Sequence, residues 1–377
     1  MVKNRLSIRT GRSLSRDEER AVSEFHQAVR QPKTEAVIFF CSPRYNLDIL
    51  GRELAKQFDC PLIGCTTAGE ISNFGYQEGG IVGASLASNE LTVHRHILSP
   101  LSQFTLNKAG KMASSIRENL SHAKGFEREK MFGFILIDGL SMLEEEIIAS
   151  LFTCFEGITI IGGSAGDDMA FHKTYIYDDG QFKSDAAIFS VFETTLPFST
   201  FKTQHFKPTD TKIVITGANP QKRIITEING ETAALEYAKV LGLELDQLNP
   251  TVFSENPLLL RIGGEWYVRS IQKRNIDNSL SMFSAIEEGL VLTVGKGGDI
   301  IANFMEQMHL IEKEIPQNSL FIFCDCILRK LELNGLGIIG EMDRLLGDCK
   351  AIGFNTYGEQ FNSIHVNQTL TGVVIGG

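Results

Sequence analysis

The sequence predicts an α/β protein of two domains, with mixed sheets built from strand–helix–strand units that recur along the chain. Three observations carry this. The motif Ile-Gly-x-x-Thr-x-Gly-Glu occurs at 63–70 and again at 352–359, and a copy one residue shorter, Ile-Gly-Gly-Ser-Ala-Gly-Asp, occupies 161–167. Upstream of each copy lies a short apolar run, at 37–41, 134–138 and 320–325, as expected of strands buried on both faces. Between run and motif the apolar residues fall at helical spacing, as in Leu47, Leu50, Leu54 and Phe58, or Leu143, Ile147, Leu151 and Phe155.

The elements follow in order. Residues 1–32 read as a solvated leader followed by a helix, with Lys3, Arg5, Arg9, Arg12, Arg16 and Arg20 interrupted by Asp17, Glu18 and Glu19. Residues 33–230 hold the first two units and form the first domain; 231–377 form the second. After each motif comes a loop and a further apolar stretch, at 80–87, 186–192 and 370–375. A basic segment at 202–212 leads to a strand near 213–216, and Asn229-Gly230 marks the domain boundary before a helical stretch at 232–243. Gly263-Gly264 between 258–262 and 266–271 signals a hairpin. Residues 299–314 read as an amphipathic helix stopped by Pro316.

A parallel pair joined by a helix should cross over right-handed. The ends of the first strands (Cys41, Asp138, Asp325) and the glycine motifs then share one carboxyl edge, where open α/β sheets bind ligands. Composition narrows the partners. The chain has 377 residues, is 43% hydrophobic and carries a net charge of −10. That field repels phosphate backbones and anionic lipid, which excludes nucleic acid and membrane surfaces. No apolar run is long enough to span a bilayer, and the N-terminus lacks the apolar stretch of a signal peptide. Seven Cys without regular spacing fit reduced thiols of a cytoplasmic protein.

The chemistry-bearing residues are few. The 162–168 turn is glycine-rich, but it ends in Asp167 and Asp168 and lacks a P-loop's Gly-Lys-Ser/Thr, so phosphate binding is disfavoured. Cys324 and Cys326 share a strand face opposite Asp325, half a zinc site with no second pair nearby, and otherwise small apolar core residues. Asp325 and Arg329, with Arg44 in a similar place in the first unit, suit a polar ligand. His172 and His365 lie beyond glycine motifs in corresponding loops, and His205 sits beside Phe206. Any of the three is an axial-ligand candidate for a haem, whose flat ring a phenylalanine-lined cavity would hold. No nucleophile elbow occurs.

These motifs carry a resemblance. Residues 62–71 resemble the opening motif of the FIST N domain, and 161–168 its later Gly-Gly-x-Ala-Gly-Asp element. Asn256-Pro257-Leu258, Glu288-Gly289, Phe323 to Cys326 with Arg329, 353–359 and Asn367 to Leu370 resemble the FIST C domain. The likeness runs from residue 33 to the end. His365-Val366-Asn367 departs from the family's adjacent His-Asn. The resemblance implies a bacterial sensory module of signal transduction, stand-alone and without catalysis. It would bind a small ligand and regulate a partner such as a histidine kinase or a cyclic-di-nucleotide enzyme. Two ligands compete: haem b with nitric oxide as the signal, towards which the stand-alone layout leans, and an amino acid or other small metabolite. An enzyme using Cys324, Asp325 and Arg329 and a pure scaffold are the remaining readings, and a homodimer is open. The expected ligand residues are Arg44, Thr66, Thr67, Glu70, Ser164, Asp167, Asp325, Arg329, Thr356, Tyr357, Glu359 and Asn367.

Overall fold

The computed structural model of the chain describes residues 5–119, 127–155, 157–315 and 319–377. Lys3 and Pro316 lie outside them. The mixed α/β architecture is as the sequence predicts, and three units have the same order of elements.

The first unit runs β1 (Ser7–Ser13), α1 (Glu18–Val29), β2 (Ala36–Cys41), α2 (Leu47–Gln57), β3 (Leu62–Thr66), the hairpin β4 (Glu70–Ser72) and β5 (Gly75–Gln77), then β6 (Ile81–Ala87). The second repeats it: β7 (Leu91–Leu98), α3 (Leu106–Asn119), β8 (Met131–Ile137), α4 (Glu144–Cys154), β9 (Thr159–Ser164), the hairpin β10 (Ile176–Asp178) and β11 (Gln181–Lys183), then β12 (Ala187–Thr194).

The third unit opens with β13 (Phe198–Thr203) and is interrupted by a fourth sheet. That insertion holds β14 (Phe206–Asn219), β15 (Ile224–Ile228), β16 (Glu231–Thr232), α5 (Ala233–Leu241), α6 (Pro250–Glu255), β17 (Leu258–Ile262), β18 (Glu265–Arg269), β19 (Ile271–Arg274), β20 (Leu280–Met282) and β21 (Val291–Gly297). The unit resumes with α7 (Ile300–Glu314), β22 (Ser319–Cys326), α8 (Ile327–Gly335), α9 (Ile339–Gly347), β23 (Ala351–Thr356), the hairpin β24 (Glu359–Phe361) and β25 (Ile364–Val366), then β26 (Leu370–Gly376).

In each unit the two motif strands pair in parallel, β2 with β3, β8 with β9 and β22 with β23, while β6, β12 or β26 adds antiparallel to the first of them. Each hairpin, however, leaves its own unit. β4–β5 pairs with β23 of the third sheet, β10–β11 with β3 of the first, and β24–β25 with β9 of the second. The exchange is cyclic and gives three six-stranded sheets of matching order.

One core fills the space between the three sheets. It unites Ile38, Phe40 and Cys65 of the first with Phe134, Ile161 and Phe192 of the second and Ile322, Cys324 and Phe354 of the third. Phe40 stacks on Phe354 at 4.5 Å, and Phe132 on Phe192 at 4.7 Å. Helices cover each sheet's outer face: α1 and α2, α3 and α4, and α7 with α9. The runs at 37–41, 134–138 and 320–325 read as uninterrupted hydrophobics because their strands are buried on both faces.

Several expectations are corrected. The expected helix is α1, but the described residues ahead of it are no solvated leader: β1 pairs with β6 along its length and Leu6 is buried. The basic segment at 202–212 is mostly strand, with a bulge after Pro208 that accommodates its missing N–H. Asn229 and Gly230, at φ 53° and 83°, make the tight turn between β15 and β16. By register, Asp138 aligns with Ser42 and Cys326, one residue past Cys41 and Asp325.

Candidate functional site

The three motif loops meet at the carboxyl ends of the parallel strands and bind one another. Ala68 N–H donates to the Asn355 carbonyl at 3.1 Å, and Asn355 N–H to that of Gly69 at 2.8 Å. Gly166 N–H donates to the Thr66 carbonyl at 3.0 Å, and Ser164 N–H to that of Gly358 at 2.8 Å. Thr66, Thr67, Glu70, Ser164, Thr356 and Glu359 are all fully buried, and Asp167 and Tyr357 nearly so. The edge expected to be open to a ligand is therefore closed, because each exchanged hairpin brings a neighbour's loop across it.

Within this ring the expected ligand residues bind the protein itself. Thr67 Oγ1 donates to Glu70, and Gly80 N–H caps its other oxygen. Thr356 and Thr369 do the same for Glu359. Burial outweighs these bonds and pushes both carboxyls up to about 8. Asp167 accepts the N–H groups of Phe171, His172 and Lys173 and the Tyr357 hydroxyl, which fixes the loop before β10.

Arg44 and Arg329 are not equivalents. Arg44 is exposed and pairs with Asp168 at 2.8 Å. Arg329 is buried, pairs with Asp325 at 2.6 Å and approaches His205 Nδ1 at 3.5 Å. Tyr76 donates to the same Asp325, and His205 Nε2 meets Glu332 at 2.8 Å. Nor do His172 and His365 correspond: His172 is exposed ahead of β10, whereas His365 is buried in the second hairpin strand, β25.

These residues do not fit a haem. His172 faces solvent, and His205 has both ring nitrogens engaged. His365 has one free nitrogen, but it abuts Gly358 and Asn367 and lies in the field of Glu144, Glu145, Arg223 and Arg269, not against an apolar surface. Most of the described phenylalanines pack in the cores, and Phe74 is exposed. Among the described residues no three His, Cys, Asp or Glu side chains gather as metal ligands.

A second polar region lies where the fourth sheet meets the three-sheet body. Arg223, just before β15, reaches across to Glu144 at 2.7 Å and to Glu145, the first residues of α4, and donates to the Phe283 carbonyl at 2.7 Å. Glu145 accepts from Ala285 N–H at 2.7 Å. Gln368 accepts from Ser270 Oγ at 2.8 Å and donates to the Ser254 carbonyl at 2.6 Å. Around them stand buried polar atoms with no protein partner: His365 Nε2, Asn367 Nδ2 and Oδ1, and Arg269 Nε. His365 Nδ1 is held by Gln360 at 3.0 Å, and burial pushes its ring below the usual imidazole value.

Above Arg223 opens a surface groove of about 380 Å³ lined by Leu140, Met142, Phe171, Arg223 and Phe283 among others. Met142, Phe171 and Arg223 on its rim hold φ of 57°, 52° and 52°, a left-handed backbone that side chains adopt only when the surroundings enforce it.

Of the expected site residues only His365 and Asn367 belong to this second region. Gln368 falls inside the 367–370 motif, whereas Arg223, Glu144, Glu145, Arg269 and Gln360 carry no sequence signal, because tertiary packing alone assembles them.

Compared with known proteins, residues 35–231 match the FIST N domain and residues 233–362 the FIST C domain. An uncharacterized protein of Methanocaldococcus jannaschii is 24% identical over 351 residues, a stretch covering 83% of this chain and 67% of that protein.

Proposed function

Because this chain belongs to the FIST family, whose N and C domains are sensory domains of signal transduction, we propose that it is a cytoplasmic, non-catalytic sensor. It takes up a small polar ligand between the fourth sheet and the three-sheet body and hands the signal to a partner, a histidine kinase or a cyclic-di-nucleotide enzyme. The observation that carries this reading is the contrast between two interfaces. The three sheets are joined by one large apolar core. The fourth sheet docks through a small apolar cluster in which Phe283 meets Phe171, Tyr357, Ile327 and Leu328, and beside it through Arg223 with Glu144 and Glu145, through Gln368, and through polar atoms left without partners. A contact of that kind has two accessible states, and a ligand shifts them by its difference in affinity.

Absence of catalysis fits the buried Cys324 and Cys326 thiols, which burial pushes well above their usual range, and Asp325, which spends its carboxylate on Arg329. The seven free cysteines suit a reducing cytoplasm.

The test is a thermal-shift screen of free amino acids, organic acids and hemin on the full chain, followed by hydrogen exchange on any hit. A native-state ligand at a hundredfold excess over its Kd stabilises by roughly 2.7 kcal/mol. The expected hit slows exchange in β14, β17, β18 and β25 more than in the central strands. Uniform slowing, or no hit, would sink the coupling. A Soret band that survives desalting and moves under nitric oxide would replace the polar ligand with haem.

A further inference from the structure

The polar region under the fourth sheet has a direction. Gln360 lies against His365 Nδ1, with Nε2 at 3.0 Å and Oε1 at 3.3 Å; in the tautomer that accepts from the nearer Nε2, the ring proton sits on His365 Nε2. His365 then presents a free donor, as do Asn367 Nδ2 and Arg269 Nε. His365 and Asn367 are 1% and 0% exposed, and Arg269 is 8% exposed. Arg269 Nη1 reaches only the carbonyl of its neighbour Val268, at 3.5 Å. Among the described residues no carboxylate stands within ion-pairing distance of it. The other buried cations are neutralised: Arg223 by Glu144 and Glu145, Arg329 by Asp325, Lys330 by Glu78.

These groups come from different parts of the chain. Strand β18 carries Arg269 and packs against β25, which carries His365. A Cβ at Gly358 would stand 2.6 Å from His365 Nε2 and 3.0 Å from Asn367 Nδ2. His365 Cε1 would be nearer still, at 2.2 Å, so both side chains pack directly against the glycine. The glycine of the third motif thus lets His365 and Asn367 sit side by side, while the same glycine in the first motif faces Lys330, which is already paired.

Arg269 has Glu145 in its field but no carboxylate at ion-pairing distance; a buried cation so placed and unpartnered donors are each costly, typically ~1–3 kcal/mol for a neutral group and more for a charge. A chain that keeps them together in one place has them for an acceptor that comes from outside. We infer that Arg269, His365 and Asn367 form a site for a small carboxylate. Its oxygens accept from the Arg269 guanidinium and His365 Nε2, and the Asn367 amide contacts its substituent. The groove above Arg223 is the approach, with the Arg223–Glu144–Glu145 cluster as its inner wall. This deepens the sensory reading and rests on it, since the bound carboxylate joins β18 of the fourth sheet to β25 of the body.

The experiment is a thermal-shift titration of the full chain with acetate, glycine and a set of amino and organic acids. Phosphate and chloride at equal ionic strength serve as controls. The wild type should show a saturable rise in Tm with at least one carboxylate and none with chloride; a response to phosphate alone would make this a general oxyanion site and overturn the carboxylate assignment. In Arg269→Met the apo protein should melt no lower than wild type, since a buried unpaired charge has been replaced by an apolar chain of similar volume. Its apparent affinity should fall about tenfold or more, the loss expected of a charge-assisted hydrogen bond. Asn367→Leu should act alike. An unchanged affinity in both variants, or no response from any carboxylate, overturns the site. Hydrogen exchange separates the two readings. Protection that needs Arg269 but leaves the fourth sheet's exchange unchanged upholds the site and removes the coupling. A ligand that slows that exchange without needing Arg269 or Asn367 upholds the coupling and removes the site.

Discussion

At the scale of single residues, the two motif glutamates make the clearest case. Glu70 and Glu359 read from the sequence as ligand-gripping acids; the structure buries them completely and surrounds them with threonine hydroxyls and backbone N–H groups. The sequence marks these positions as special, because a carboxylate three residues after a threonine beside a glycine is a recurring pattern. It does not reveal whether the pair faces a ligand or a neighbouring loop. Their folded-state values of about 8 lie above the ordinary carboxylate value near 4.3. Stability from this source is then full below pH ~4.3 and is lost as pH rises through 8. Tm should fall between pH 6 and pH 8.5, and Glu70→Gln with Glu359→Gln should flatten that fall. A profile unchanged in the double variant, measured by calorimetry, would show that the two carboxyls are ionised in the fold.

At the scale of elements, the strands of the three parallel pairs and the helices between them were legible, because continuous apolar runs and helical spacing record burial directly. The exchanged hairpins were not. Each has strands of three residues, too short for any periodicity, and each pairs with a strand outside its own unit. The edge strand β1 was also hidden, since its basic residues Arg9 and Arg12 read as part of a solvated leader. Gly51 in α2 tests the exchange. An added Cβ there would stand 2.5 Å from the Gly180 carbonyl in the β10–β11 turn. Alanine favours a helix by ~1 kcal/mol over glycine, yet this clash with a visiting hairpin outweighs the gain. Gly51→Ala should lower the urea midpoint. Gly110→Ala in α3, where nothing lies within 4 Å, should raise stability by roughly 0.5–1 kcal/mol. Equal effects from the two would deny that the turn is seated on α2.

At the scale of the whole molecule, the fourth sheet is the part whose attachment combines ion pairs with a small apolar cluster. It leaves the body after β13 and returns at α7, with His205 and Gly298 bonded to each other at the crossing. Arg223 is its charged tie. Replacing it with leucine strands Glu144 and Glu145 without their cation, a loss of about 3–5 kcal/mol for a buried pair. Arg223→Leu should speed hydrogen exchange in β14, β15 and β20 while the central strands β2, β8 and β22 keep their protection. Loss of protection everywhere at once would mean that the fourth sheet and the body unfold as one cooperative unit.

The cyclic trade of hairpins also governs how the chain is made. A ribosome delivers the first unit long before the third. Until residues near 351 emerge, β4 and β5 have no sheet to join and the outer edge of β9 stands bare. The newborn chain therefore carries unpaired strand edges through most of its synthesis, a condition that invites aggregation and calls for holding chaperones. The body can close only when the last segment arrives and locks the ring.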